Sequence, residues 1–119
     1  MEISFEKKEG YIHFKINGNY DDIKDFDKIK ELGDIPKKHG FNIILVDVRD
    51  LNYNFDTLKR FQLSEYWVKI CRELGFIKTA ILGRQEKMDK LSENVVINRG
   101  FDFKLFTDEK EAIDWLNGL

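Results

Sequence analysis

The sequence predicts an α/β domain in the order ββαβαβαβα: a mixed, mostly parallel sheet with an N-terminal hairpin and helices packed on it. Three observations carry that prediction. The stretch Phe41 to Asp50 holds a short apolar run (Ile43, Ile44, Leu45, Val46 and Val48) without in/out alternation, as in a central strand covered on both faces. The opening residues alternate with period two on either side of a glycine-bearing turn. Beyond the central run, helical apolar spacings alternate with short apolar runs, so single helices separate the later strands and their pairing is parallel, through right-handed crossovers.

The elements follow in order. Ile3 and Phe5 alternate with Glu2, Ser4 and Glu6; after Lys7-Lys8-Glu9-Gly10 the pattern resumes with Ile12, Phe14 and Ile16, which reads as an antiparallel hairpin. Asp21 and Asp22 can cap a helix whose stripe is Ile23, Phe26, Ile29 and Leu32, interrupted by Gly33 and the only proline, Pro36. The central strand then ends in Asp47, Arg49 and Asp50. Leu51 to Phe55 carries turn-forming asparagines and no helical period.

A helix from about Asp56 to Leu74 has Leu63, Trp67, Ile70 and Leu74 inside, Tyr66 and Cys71 at the flanks, and Glu65, Lys69 and Glu73 on a solvated side. Gly75 ends it. Phe76, Ile77, Ala80, Ile81 and Leu82 form the next strand, stopped by Gly83-Arg84. Met88, Leu91 and Val95 mark a helix closed by Asn98-Arg99-Gly100, with Gly100 placed for a left-handed cap. Phe101, Phe103 and Leu105 alternate with Asp102 and Lys104, the pattern of a half-buried strand near a sheet edge. Asp108 and Glu111 have capping-box spacing before a helix with Ala112, Trp115 and Leu116 on one face.

Residues 1–119 fit a single domain, large enough to bury about two-thirds of the unfolded chain's surface. Charged residues balance to a net −2, which leaves no global field for nucleic acid or anionic lipid. One cysteine rules out an internal disulfide framework and fits a reducing compartment. His13, His39 and Cys71 share no ligand spacing, so no metal and no cofactor are predicted. The N-terminus lacks an apolar signal region and no run spans a bilayer, so a cytoplasmic protein is expected.

The C-terminal third carries a more specific signal. Glu93-Asn94-Val95-Val96-Ile97-Asn98-Arg99-Gly100, then Phe106-Thr107-Asp108 and Glu111-Ala112-Ile113-Asp114-Trp115-Leu116, resembles the ending of SpoIIAA-like proteins. The element order, with a hairpin before the first helix, is similar to the STAS (anti-sigma-factor antagonist) fold. The resemblance covers the whole chain in element order, and in recognisable words from about Arg84 onward. It implies a non-catalytic domain that acts by binding a protein partner, a nucleotide or a hydrophobic small molecule. In the anti-sigma antagonists a serine opening the helix after the central strand is phosphorylated within an Asp-Ser-Ser-Gly motif. Here that place reads Asn54-Phe55-Asp56-Thr57-Leu58-Lys59, so Asp56-Thr57 matches the first two positions and Leu58-Lys59 departs from the rest.

The candidate surface is therefore the carboxyl end of the sheet. Thr57 is either a phospho-acceptor in a helix's first turn or, with Asp56, simply a cap. Arg49 and Arg84, ending neighbouring strands, can hold an anion together or pair with Asp47 and Asp50. Asp47 and Asp50 point to opposite faces, which argues against a catalytic dyad. Tyr53 and Phe55 either wall an apolar pocket or staple the loop to the helix. The surface thus comprises Arg49, Asp50, Tyr53, Phe55, Asp56, Thr57 and Arg84. The expected occupant is a protein partner; the alternative is a hydrophobic small molecule or lipid carried between sheet and helices. The edge strand Phe101 to Phe106 leaves room for a homodimer.

Overall fold

A computed structural model describes residues 1–75, 77–87 and 90–118. Phe76 and Met88, assigned above to a strand and a helix, lie outside the described residues. The strands are β1 (Glu2–Lys7), β2 (Ile12–Asn19), β3 (Ile43–Asp47), β4 (Leu51–Asn52), β5 (Lys78–Leu82) and β6 (Phe103–Phe106). The helices are α1 (Asp22–Asp25), α2 (Glu31–Lys38), α3 (Thr57–Leu74), α4 (Lys90–Asn98) and α5 (Glu109–Leu116).

Strand order is β1-β2-β3-β5-β6, with β4 paired to the end of β2. Only β1 and β2 are antiparallel; β3 pairs in parallel with β2 on one side and β5 on the other, and β6 forms an edge. The unbroken apolar run thus lies at the middle of the sheet, as its composition predicts. Its alternate residues feed two cores. Ile44 and Val46 join Ile12, Phe14 and Ile16 beneath α3, where Trp67, Val68 and Ile70 meet them. Leu45, with Ala80, Leu82 and Phe106, packs instead against Ala112 and Leu116 of α5. The period-two geometry of a strand makes this division unavoidable once both faces are covered.

Four elements differ from the sequence expectation. Asp21 caps α1 by accepting from the Ile23 and Lys24 N–H groups at 2.9 and 3.4 Å, but α1 gives way to 3₁₀ turns over Phe26–Lys30. Three residues per turn breaks the 3.6-residue stripe, and Ile23 is left 95% exposed. Gly33 and Pro36 do not stop the helix; both lie buried within α2. A Cβ at Gly33 would sit 2.6 Å from Leu74 Cδ1 and 2.7 Å from Ile70 Cγ2, so the glycine lets α2 approach α3. Phe5, on the edge strand β1, stays 42% exposed while resting on Phe14 and His39. Leu51-Asn52, expected as turn, forms β4: Leu51 pairs with Gly18 and is buried.

Within α3, Ser64 and Val68 are buried with Trp67, Ile70 and Cys71, whereas Leu63 and Leu74 are only half-buried. Gly100 closes α4 at φ +90°, the left-handed conformation that its spacing predicts. Among the described residues, no helix is long and apolar enough to cross a membrane.

Candidate functional site

The carboxyl ends of β3 and β5 lie side by side, Asp47 opposite Leu82, and the chain leaves this end through two different surfaces. One faces α3 and α4, the other α5.

On the α3 side, the loop after β3 is pinned before the helix begins. The Leu51 N–H donates to the Val48 carbonyl at 3.1 Å, the Tyr20 N–H to the Asn52 carbonyl at 3.0 Å, and Asn52 Nδ2 to Asn19 Oδ1 at 2.9 Å. Phe55 meets Tyr20 edge-on at 5.0 Å and lies 4.9 Å from Tyr53. Asp56 caps α3, accepting from the Lys59 N–H at 2.8 Å, which leaves Thr57 exposed as the first helical residue. Lys59 Nζ reaches Asp22 Oδ2 at 2.7 Å and Tyr20 Oη donates to Asp22 Oδ1 at 3.0 Å, tying α1 to the first turn of α3. The hydrogen bonds from Lys59 and Tyr20 hold the Asp22 carboxyl below its ordinary range. Burial, then the Asp22 hydrogen bond, pushes the Tyr20 phenol well up.

Behind this loop an apolar cavity of about 190 Å³ opens between the sheet and α3. Tyr53 and Phe55 stand at its wall with Leu51 and Leu63, and Arg60 and Lys87 supply cations. Lys87 Nζ donates to the Tyr53 carbonyl at 2.8 Å and lies 5.4 Å from the centre of the Tyr53 ring. A second hollow of about 140 Å³ lies beside it, bounded by Val46, Trp67, Thr79 and Val96. The two share Leu63, Ile81, Ser92 and Phe103. Trp67 is 7% exposed, and its Nε1 has no hydrogen-bond partner among the described residues. A buried donor left so costs about 1–3 kcal/mol.

On the α5 side, Asp47 is buried and fully engaged by one residue. Its Oδ1 accepts from Arg49 N–H and Nε, both at 3.0 Å, and its Oδ2 from Arg49 Nη2 at 2.8 Å. The same Nη2 reaches Glu109 Oε1 at 3.1 Å. His13 completes the group: one ligand atom each from His13, Asp47 and Glu109 lies within 4.8 Å of the others. That is a grouping a divalent ion can bridge, but the Arg49 guanidinium already serves both carboxylates. Sequence spacing could not reveal it, since the residues come from β2, β3 and α5.

The predicted residues therefore divide. Tyr53, Phe55, Asp56 and Thr57 gather at the start of α3. Arg49 lies with Asp47 and Glu109, Asp50 pairs with Lys15 at 3.3 Å, and Arg84 pairs with Glu86 at 3.5 Å. Each arginine is thus paired with carboxylates near it, Arg49 with Asp47 and Glu109 and Arg84 with Glu86. Sequence reading missed Trp67 Nε1 as a free donor, along with Lys87, Ser92 and Tyr20. Only the helical stripe could have pointed to Trp67. Cys71 is fully buried and its thiol is pushed up to about 12 by burial, which removes it as a nucleophile.

No protein-family model matches the chain, and no curated protein does. Solved structures do match. An anti-sigma factor antagonist from Mycobacterium paratuberculosis superposes with a TM-score of 0.63 at 11% identity, over 98% of this chain and 93% of that one. An uncharacterised DUF3478-family protein with a SpoIIAA-like fold, from Shewanella loihica PV-4, matches with a TM-score of 0.61 at 22% identity, over 97% and 92%. The anti-sigma factor antagonist SpoIIAA in its unphosphorylated form matches with a TM-score of 0.57 at 16% identity, over 99% and 100%. With the antiparallel hairpin at one edge and β3 central in an otherwise parallel sheet, these likenesses show that the chain has the SpoIIAA-like STAS fold.

Proposed function

We propose that this protein is a regulatory binding module without chemistry of its own, meeting a protein partner at the start of α3. The observation that carries this reading is a set of uncovered apolar side chains. Leu58 is 64% exposed and Phe61 42%, in the first turns of α3, and Ile23 stands outside on α1, which the Asp22–Lys59 pair holds alongside. Apolar groups grouped on one surface mark contact sites. Tyr53, Phe55, Asp56 and Thr57 extend that surface, with Arg49, Asp50 and Arg84 farther along the same end of the sheet. Two of the similar structures are of proteins named as anti-sigma factor antagonists, which supports the same reading.

Thr57 is the position at which modification would change this surface, since it is exposed and flanked by the Asp56 cap and Leu58. The test is a pull-down from native cell extract with wild type, Leu58→Asp and Thr57→Asp, each checked for fold by circular dichroism. A partner captured by wild type and lost by Leu58→Asp supports the surface; its loss by Thr57→Asp supports a phospho-switch. Identical capture by all three proteins rejects both.

A second reading, carriage of a hydrophobic small molecule, is favoured by the two neighbouring apolar hollows between sheet and helices.

A further inference from the structure

We propose that the hollow bounded by Tyr53, Leu63 and Phe103 binds a single-ring aromatic carboxylate, its ring against the aromatic walls and its anion on Lys87. The inference rests on the carrier reading and names its ligand class.

Size selects the body. The hollow has a volume of about 190 Å³, and a cavity of about 150 Å³ lined by leucine, isoleucine and phenylalanine takes up one benzene ring. The walls here are of the same kind: Leu51, Leu63 and Ile81, with the rings of Tyr53, Phe55 and Phe103. The aromatic side is braced, since Phe55 lies 4.9 Å from Tyr53 and meets Tyr20 edge-on at 5.0 Å. Three rings around one hollow favour an aromatic occupant over an aliphatic one of equal size, through offset or edge-to-face contacts.

Charge selects the polar end. The chain carries 22 acidic and 20 basic side chains, yet the charged residues described at this hollow are Arg60 and Lys87, with no carboxylate. Lys87 is half-buried, and its Nζ stands 5.4 Å from the centre of the Tyr53 ring while donating to the Tyr53 carbonyl at 2.8 Å. That bond uses one of three ammonium donors, so the others can meet a carboxylate. An anion beside a half-buried ammonium is also less screened than one at the open surface. Among the described residues, the adjoining hollows lack this union of apolar wall and cation. The one bounded by Trp67 and Val96 has no charged side chain, and the one beside Tyr20 sets Asp22 and Asp56 against Lys59.

The experiment is an NMR titration of the full chain, stripped of co-purified material, following the amides of Tyr53 and Phe55. The probes are phenylacetate, its neutral amide 2-phenylacetamide, the saturated cyclohexylacetate, and decanoate. Wild type is expected to bind phenylacetate about tenfold more tightly than the amide and about threefold more tightly than cyclohexylacetate. Lys87→Gln deletes the charge and keeps a donor for the Tyr53 carbonyl; it should erase the preference for acid over amide and leave amide binding unchanged. Equal binding of acid and amide by wild type overturns the inference while the carrier reading stands, and needs no variant to fold. A preference that survives in Lys87→Gln, or cyclohexylacetate bound as tightly as phenylacetate, also overturns it. Binding of decanoate without phenylacetate overturns the inference alone, and binding of none of the four overturns it together with the carrier reading.

Discussion

Asp47 sits where a carboxylate is costly, at the buried end of the central strand and beneath the start of α5. Burial raises its carboxyl, but the hydrogen bonds from the Arg49 side chain and N–H, with the charges of Arg49 and Lys15, outweigh that and hold it below its ordinary range. A carboxyl lowered by folding stabilises the native state above its unfolded value, about 3.9, and that contribution is lost as pH falls through the lowered value. Asp47→Asn is therefore expected to lower the urea midpoint at pH 7, at a cost of about 1–3 kcal/mol for the lost charge-assisted bonds. The gap from wild type should narrow as pH drops from about 5 towards 3. A gap constant across that range would show that the Arg49 contacts do not set the titration of Asp47. The pairing partner was legible in part: Arg49 next to Asp47 and Asp50 offered two carboxylates, but only the packing of α5 chose the buried one and added Glu109.

Helix α5 shows how much a short element depends on its ends. Its eight residues are too few for a stable isolated helix, so docking and capping must hold it. Ala112 and Leu116 are buried against β3, β5 and β6, Asp108 Oδ2 accepts from the Glu111 N–H at 3.1 Å, and Lys78 Nζ donates to the Trp115 carbonyl at 2.8 Å. A cation at that end also suits the helix dipole. Asp108→Ala is expected to cost about 1 kcal/mol in urea unfolding, and an unchanged midpoint would show that burial alone holds α5. Lys110→Ala, which removes an exposed pair with Asp114, should leave the midpoint unchanged. The cap, the Ala112–Leu116 face and the strand before it were all readable from spacing. The segment from α1 to α2 was not. Its apolar residues suit one continuous helix, whereas the chain passes into 3₁₀ turns at Phe26, whose ring stacks on Tyr66 of α3, 4.4 Å away.

For the molecule as a whole, Cys71 reports on cooperativity. It is fully buried in the core joining β2, β3 and α3, and its thiol, raised to about 12, is unreactive while that core is closed. Labelling by a thiol reagent at neutral pH should proceed only through unfolding, and its rate should rise with urea as steeply as the global transition requires. A shallow urea dependence would show that α3 opens by itself, which would bear on both proposed uses of its first turns. The same helix lines the apolar hollow and presents Leu58 and Phe61 outside, so the proposed partner surface and the cavity are two faces of one element.

The sequence by itself determined the order of the elements, the central place of β3, the edge place of β6 and most of the caps, because periodicity and capping are local properties of the chain. It also placed Tyr53, Phe55, Asp56 and Thr57 at the end of the sheet where the chain turns outward. Tertiary structure alone decided that Arg49 turns to Asp47 and Glu109, that His13 joins them, that Gly33 is a contact between helices, and that the Trp67 N–H meets no acceptor among the described residues. Those facts depend on distances between residues far apart in the chain, and no spacing along one strand or helix encodes them.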